Sequence, residues 1–204
     1  FRFRGDDVFK PVSALSGGEQ SRLRLCMLMD SKINLLVLDE PTNHLDIDSR
    51  EWMEEAVAEY GGNLLFVSHD RYLIRQVADA GVNYIDTARG YTVSEEWLGG
   101  ALEGIRDRFV LATKSMARTR EAMEKDITIS LGNLRTDHVE LYQIHNPSLA
   151  DMDTVFGPGG AMEALLAAKA EGKVGHIGLT AHSKEVFAAA LEHEEIETIM
   201  FPYN

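Results

Sequence analysis

Gly81-Val82-Asn83-Tyr84-Ile85-Asp86-Thr87-Ala88 is a short apolar run that stops at a carboxylate, and the reading of the whole chain follows from it. Its length and its branched and aromatic residues predict a strand over 82–87. A stretch of helical period follows at 94–102, and then the alternation repeats. Strands are predicted at 109–113, 138–145, 174–180 and 198–203, with helices at 118–134, 160–171 and 184–191 between them. Upstream, strands at 33–39 and 63–68 alternate with helices at 16–29, 48–60 and 70–80. The helix over 48–60 has the clearest signals: Asp48 and Glu51 form a capping-box pattern, Trp52, Met53, Ala56, Val57 and Tyr60 fall at helical spacing, and Gly61-Gly62 ends it. Residues 157–160, Gly-Pro-Gly-Gly, mark a loop. Short strands alternating with helices predict an α/β fold of parallel βα units. Seven strands are one short of a closed eight-stranded barrel, so the expectation is a single open or partly closed sheet.

The chain of 204 residues is 45% hydrophobic and 26% charged, a globular composition. No apolar run approaches the ~20 residues that a membrane-spanning helix needs. The net charge of -13 disfavours non-specific nucleic-acid binding, and neither part of the chain is basic: 9 basic and 13 acidic residues lie up to Arg75, 11 and 20 beyond it. The one cysteine, Cys26, is expected as buried filler. With no disulfide possible within the chain and no signal peptide, the expected compartment is the cytoplasm. His138, His176 and His193 lack metal-ligand spacing. Both ends, Phe1 and Asn204, read as cut.

Four polar residues fall at the carboxyl ends of successive predicted strands. Asp86 ends the run at 82–87 and Tyr91 lies in the loop after it; Lys114 closes 109–113, and His145 closes 138–145. That edge is where a (β/α) barrel builds its active site. A phenol releases its proton poorly near neutral pH unless a cation stabilises the phenolate; a lysine beside it does so, and an aspartate keeps that lysine charged and placed. A histidine can orient a carbonyl by hydrogen bonding. The segments 81–88, 94–99 (Ser-Glu-Glu-Trp-Leu-Gly), 111–115 (Leu-Ala-Thr-Lys-Ser), 141–146 (Leu-Tyr-Gln-Ile-His-Asn) and 171–174 (Glu-Gly-Lys-Val) resemble, in order, the second to fifth strands of the aldo-keto reductase family. The resemblance implies an incomplete TIM-barrel-like segment, NADPH (or NADH) as hydride source and a small carbonyl substrate. It makes Tyr91 the general acid, tuned by Lys114 and Asp86, and His145 the orienting group. It places Asn146 and Thr180 at the cofactor, although residues 180–183 read Thr-Ala-His-Ser where the family often has Ser-Asn.

A second constellation lies upstream. Leu15-Ser16-Gly17-Gly18-Glu19-Gln20 opens a helix, where unpaired N–H groups and the helix dipole favour phosphate. The strand Leu35-Leu36-Val37-Leu38 ends in Asp39-Glu40; Pro41-Thr42-Asn43-His44-Leu45-Asp46 and Val67-Ser68-His69-Asp70-Arg71 follow. These resemble the signature, Walker B, D-loop and switch segments of ABC-F ATPases. The resemblance implies ATP and Mg²⁺ as ligands, with Ser16, Gly17, Gly18 and Gln20 at a nucleotide, Asp39 on Mg²⁺, Glu40 as catalytic carboxylate and His69 toward the γ-phosphate. The ribosome is the partner if the parent's function is retained. No G-x-x-x-x-G-K-[ST] pattern occurs, so ATP hydrolysis is not expected.

The sequence thus divides into an ABC-F-like fragment, 1–73, and a reductase-like partial barrel, 74–204, joined inside the helix predicted at 70–80. Both nucleotide sites read as incomplete, and the expected function is an impaired carbonyl-reducing segment. The alternatives are an ABC-F-type ATP-binding protein and a chimera with neither activity.

Overall fold

A computed structural model describes residues 5–30, 33–42, 45, 47–68, 70–79 and 81–202. The chain forms two compact units, Phe1–Val82 and Asn83–Asn204.

The first unit contains α1 (Gly17–Asp30), β1 (Leu35–Asp39), α2 (Ile47–Ala58), β2 (Asn63–Val67) and α3 (Arg71–Asp79). Strands β1 and β2 are parallel, in register from Leu35 opposite Asn63 to Asp39 opposite Val67. Side chains alternate across a strand. Leu36 is buried, with Leu38, Leu64 and Phe66 packed toward a core of Leu25, Trp52, Met53, Val57, Leu73 and Val77. Leu35, Val37, Leu65 and Val67 of the opposite face are exposed. Helix α2 begins at Ile47; the capping role predicted for the Asp48 side chain lies outside what is described. Cys26 is half-buried.

In α3, Leu73, Ile74, Val77 and Ala78 are buried, one stripe of an amphipathic helix. Beyond its end, Val82 N–H donates to the Val77 carbonyl at 3.0 Å, and the Val82 side chain packs on the first unit's core. The strand expected from 82 is therefore only β3 (Tyr84–Asp86).

The second unit continues with α4 (Ser94–Ala101), β4 (Val110–Ser115), α5 (Arg120–Leu134), β5 (Val139–His145), α6 (Met152–Phe156), α7 (Ala161–Ala170), β6 (Val174–Thr180), α8 (Lys184–Ala190) and β7 (Thr198–Met200). All five strands are parallel and lie in sequence order, β3-β4-β5-β6-β7. Sequence order without reversal is the barrel topology, as opposed to the doubly wound one, and the sheet is a curled half-barrel. The expected single seven-stranded sheet is corrected: β1 and β2 form a sheet of their own. Alternating apolar runs mark strands but carry no information on which strands pair.

The helices cover one face of this sheet. Thr113 donates its hydroxyl to Glu95 of α4 at 2.8 Å, and the Tyr142 hydroxyl lies 3.3 Å from that of Ser130 on α5. The intervening residues, Ala112 and Lys114 on β4 and Leu141, Gln143 and His145 on β5, consequently share the other face. Thr119 caps α5, its side chain accepting from Ala122 N–H at 3.4 Å, and Arg135 ends it in the left-handed conformation (φ 53°). Gly160, at the close of the predicted loop, sits where a Cβ would lie 2.3 Å from the carbonyl oxygens of Thr154 and Val155.

Glu95 is 1% exposed and answers its buried charge with Arg89 at 2.9 Å and the Thr113 hydroxyl. Glu95→Ala strands the Arg89 guanidinium and the Thr113 hydroxyl and is expected to destabilise the second unit by about 3 kcal/mol, measured by urea denaturation.

Candidate active site

The site grows from the carboxyl edge of β3, β4 and β5. Lys114 is 3% exposed and lies within β4, one residue before its end. A buried ammonium requires compensation. Lys114 Nζ forms an ion pair with Asp86 Oδ2 and donates to the Thr87 carbonyl oxygen at 3.0 Å. The other carboxylate oxygen, Asp86 Oδ1, accepts from Gln143 Nε2 at 3.0 Å.

Tyr91 reaches this cluster from the loop after β3. That loop is pinned at both ends: Arg89 N–H donates to the Lys114 carbonyl at 2.8 Å, and Ser94 N–H to the Tyr91 carbonyl at 2.9 Å. The Tyr91 ring lies under Lys114 Nζ, 4.9 Å from ring centroid to ammonium. The His145 ring stands edge-on to it, centroids 5.9 Å apart at 89°. Tyr91 is 47% exposed, so one side of the site opens to solvent.

After His145 the chain turns through Asn146 in the left-handed conformation (φ 46°). Two groups hold that turn. Arg118 Nη2 donates to the carbonyls of both His145 and Asn146 at 3.0 Å, and Asn146 N–H donates to the Thr180 carbonyl at 2.7 Å. Asn146 itself is exposed, and Thr180 is buried at the end of β6.

Burial, and then the Lys114 ammonium, push the His145 imidazole below its ordinary value of 6.5. The folded state therefore favours neutral His145. The stability this gives is complete above pH 6.5 and is lost as pH falls through the lower folded value. His145→Gln is expected to flatten that part of the curve, read from urea midpoints between about pH 7.5 and pH 5.

The four residues predicted as a tetrad, Asp86, Tyr91, Lys114 and His145, are thus brought together. Gln143, Thr87 and Arg118 were not foreseen. Gln143 had a signal, since it lies two residues before His145 and so shares its face. In the first unit, Asp39 ends β1 opposite Val67, and Glu40 follows with φ 44°, its N–H donating to the Val67 carbonyl at 2.8 Å. Ser16 and Glu19 cap α1 reciprocally, Ser16 N–H to Glu19 Oε2 at 2.7 Å and Glu19 N–H to Ser16 Oγ at 3.3 Å. Gly17 and Gly18 begin that helix, and Gln20 Nε2 donates to the Leu15 carbonyl at 3.0 Å. His69, Asn43, His44 and Asp46 lie outside the described residues. Among the described residues no helix is long and apolar enough to cross a membrane, and no cluster of His, Cys, Asp and Glu could hold a metal ion.

Comparison with known proteins follows the same division. Residues 68–202 match the family model of the aldo/keto reductase family, and residues 2–43 that of the ABC transporter family. The holo form of aldo-keto reductase AKR11C1 from Bacillus halodurans is 28% identical with a TM-score of 0.57, covering 67% of this chain and 50% of that one. An aldo-keto reductase from Klebsiella pneumoniae in complex with NADPH is also 28% identical, with a TM-score of 0.58 over 66% of this chain and 48% of that one. ABC transporter F family member 5 of Arabidopsis thaliana is 42% identical over 123 residues, 60% of this chain and 17% of that protein. The chain therefore spans about half the length of these reductases and under a fifth of that curated relative. With its polar cluster at the carboxyl ends of parallel strands laid down in sequence order, and with the family match running from 68 to 202, the chain belongs to the aldo/keto reductase family and carries an ABC-F-like segment ahead of it.

Proposed function

We propose that the second unit reduces small aldehydes or ketones with NADPH, Tyr91 giving its hydroxyl proton to the carbonyl oxygen. The observation that carries this reading is the buried Lys114 ammonium, ion-paired to Asp86 and held 4.9 Å above the Tyr91 ring. Positive charge there stabilises the phenolate left when the proton departs. Solvent restores the proton, because Tyr91 is half-exposed. Neutral His145 directs a ring nitrogen to the substrate oxygen and orients it.

Two buried atoms of the cluster, Gln143 Oε1 and His145 Nδ1, have no hydrogen-bond partner within the protein. When bound, the dinucleotide supplies hydride to the carbonyl carbon. Thr180 and Asn146, at the rim between β5 and β6, are the residues that would hold its amide.

Asp39 and Glu40 at the carboxyl edge of β1 favour a secondary reading for the first unit: weak contact with Mg²⁺ and nucleotide, without hydrolysis. The test of the main reading is aldehyde-dependent oxidation of NADPH by the purified chain. Consumption that requires Tyr91 supports it; consumption that is absent, or indifferent to Tyr91, refutes it.

A further inference from the structure

Gln143 is fully buried on β5, with Lys114 of β4 and Gly178 of β6 as its cross-strand partners. Gly178 clears its path. A Cβ on Gly178 would meet Gln143 Cγ at 3.1 Å, Leu141 Cδ1 at 3.2 Å and Thr198 Oγ1 at 2.3 Å. From there the Gln143 side chain spans β4 and reaches Asp86 on β3, donating Nε2 to Oδ1 at 3.0 Å. The amide cannot be turned the other way, because an ionised carboxylate only accepts hydrogen bonds. Gln143 Oε1 is accordingly the end left buried without a partner.

The consequence lies in how Asp86 is divided. One oxygen is committed to Gln143 and the other to Lys114. The last torsion of an aspartate is broad and soft, so a carboxylate tied at one oxygen alone is free to rotate. The Asp86 side chain is a quarter exposed and water competes for it.

We propose that Gln143 is a positioning residue for the proton-donating site: it locks the Asp86 carboxylate so that Oδ2 faces Lys114 and the ammonium stays over Tyr91. The catalytic consequence rests on the carbonyl-reducing reading above; the locking itself does not.

The test is competitive labelling of the lysines of the whole chain with acetic anhydride, without cofactor, the rate at Lys114 read by mass spectrometry against exposed Lys184. In Gln143→Leu the relative rate at Lys114 is expected to rise at least about threefold, since a side chain no longer held against its carboxylate leaves its shelter and meets the reagent more often. Asp86→Asn is expected to raise it as well, and the double variant to match Asp86→Asn alone, because Gln143 acts through Asp86. A merely space-filling role predicts instead that the two effects combine independently. Gln143→Met, closer in volume, repeats the measurement should Gln143→Leu fold poorly. An unchanged rate at Lys114, or independent effects in the double variant, overturns the proposal. Because labelling needs no turnover, a chain that shows this pattern and yet leaves aldehydes unreduced refutes the reductase reading while the positioning role stands.

Discussion

Tyr91→Phe is expected to lower kcat for aldehyde reduction by about 10³-fold while leaving the fold and the binding of NADPH in place. The variant keeps the aromatic ring, and with it the contact beneath Lys114 and the edge-on packing of His145. It removes only the hydroxyl of a half-exposed side chain. The loss is thus confined to the proton that the carbonyl oxygen must acquire, and it appears in kcat with little change in KM for the aldehyde. Initial rates with a generic aldehyde, beside a circular-dichroism melt of both proteins, check it. A loss below tenfold would assign the proton to another donor.

Lys114→Met has a different signature, because its charge serves both structure and chemistry. Methionine replaces the volume of the stem but leaves the Thr87 carbonyl and one Asp86 oxygen without their donor. Removing one member of a buried ion pair costs about 3 kcal/mol; the lower end of the usual range applies because Asp86 is a quarter exposed. The same change withdraws the cation from above Tyr91, for an expected loss of about 10³-fold in kcat. Lys114→Arg is not expected to rescue it, since a planar guanidinium presents its donors in a different geometry from the ammonium. Urea unfolding and initial rates on the same preparations separate the two effects. Unaltered stability would show that the ion pair contributes nothing net to the fold.

The candidate site was legible in the sequence because two simple rules act together. Apolar runs end where a parallel strand meets the loop, and the polar residue at that end faces the carboxyl edge of the sheet. Asp86, Lys114 and His145 satisfy both rules, and Tyr91 sits five residues beyond Asp86 in the loop they predict. Gln143 escaped because a lone glutamine inside an apolar strand carries no charge pattern; its partner Asp86 is 57 residues away and two strands across. Arg118 escaped because its targets are backbone carbonyls, and these converge only once Asn146 adopts a left-handed turn.

The alternation of strands and helices was equally legible, but strand pairing was not. The runs 35–38 and 84–86 look alike as sequence, yet they belong to separate sheets. Helix α3 gives the physical reason. It has one apolar stripe, and Leu73 and Val77 both commit that stripe to the first unit's core. Val82 is drawn to the same core, and β3 is shortened to three residues as a result.

The most direct measurement is a fluorescence titration of the purified chain with NADPH, followed by addition of a generic aldehyde to the saturated complex and to its Tyr91→Phe counterpart. Saturable binding by both proteins, with the cofactor signal decaying only where Tyr91 is intact, is the result predicted for a working carbonyl-reducing site on β3, β4 and β5. A flat titration up to about millimolar NADPH, or equal decay in the two proteins, would contradict it.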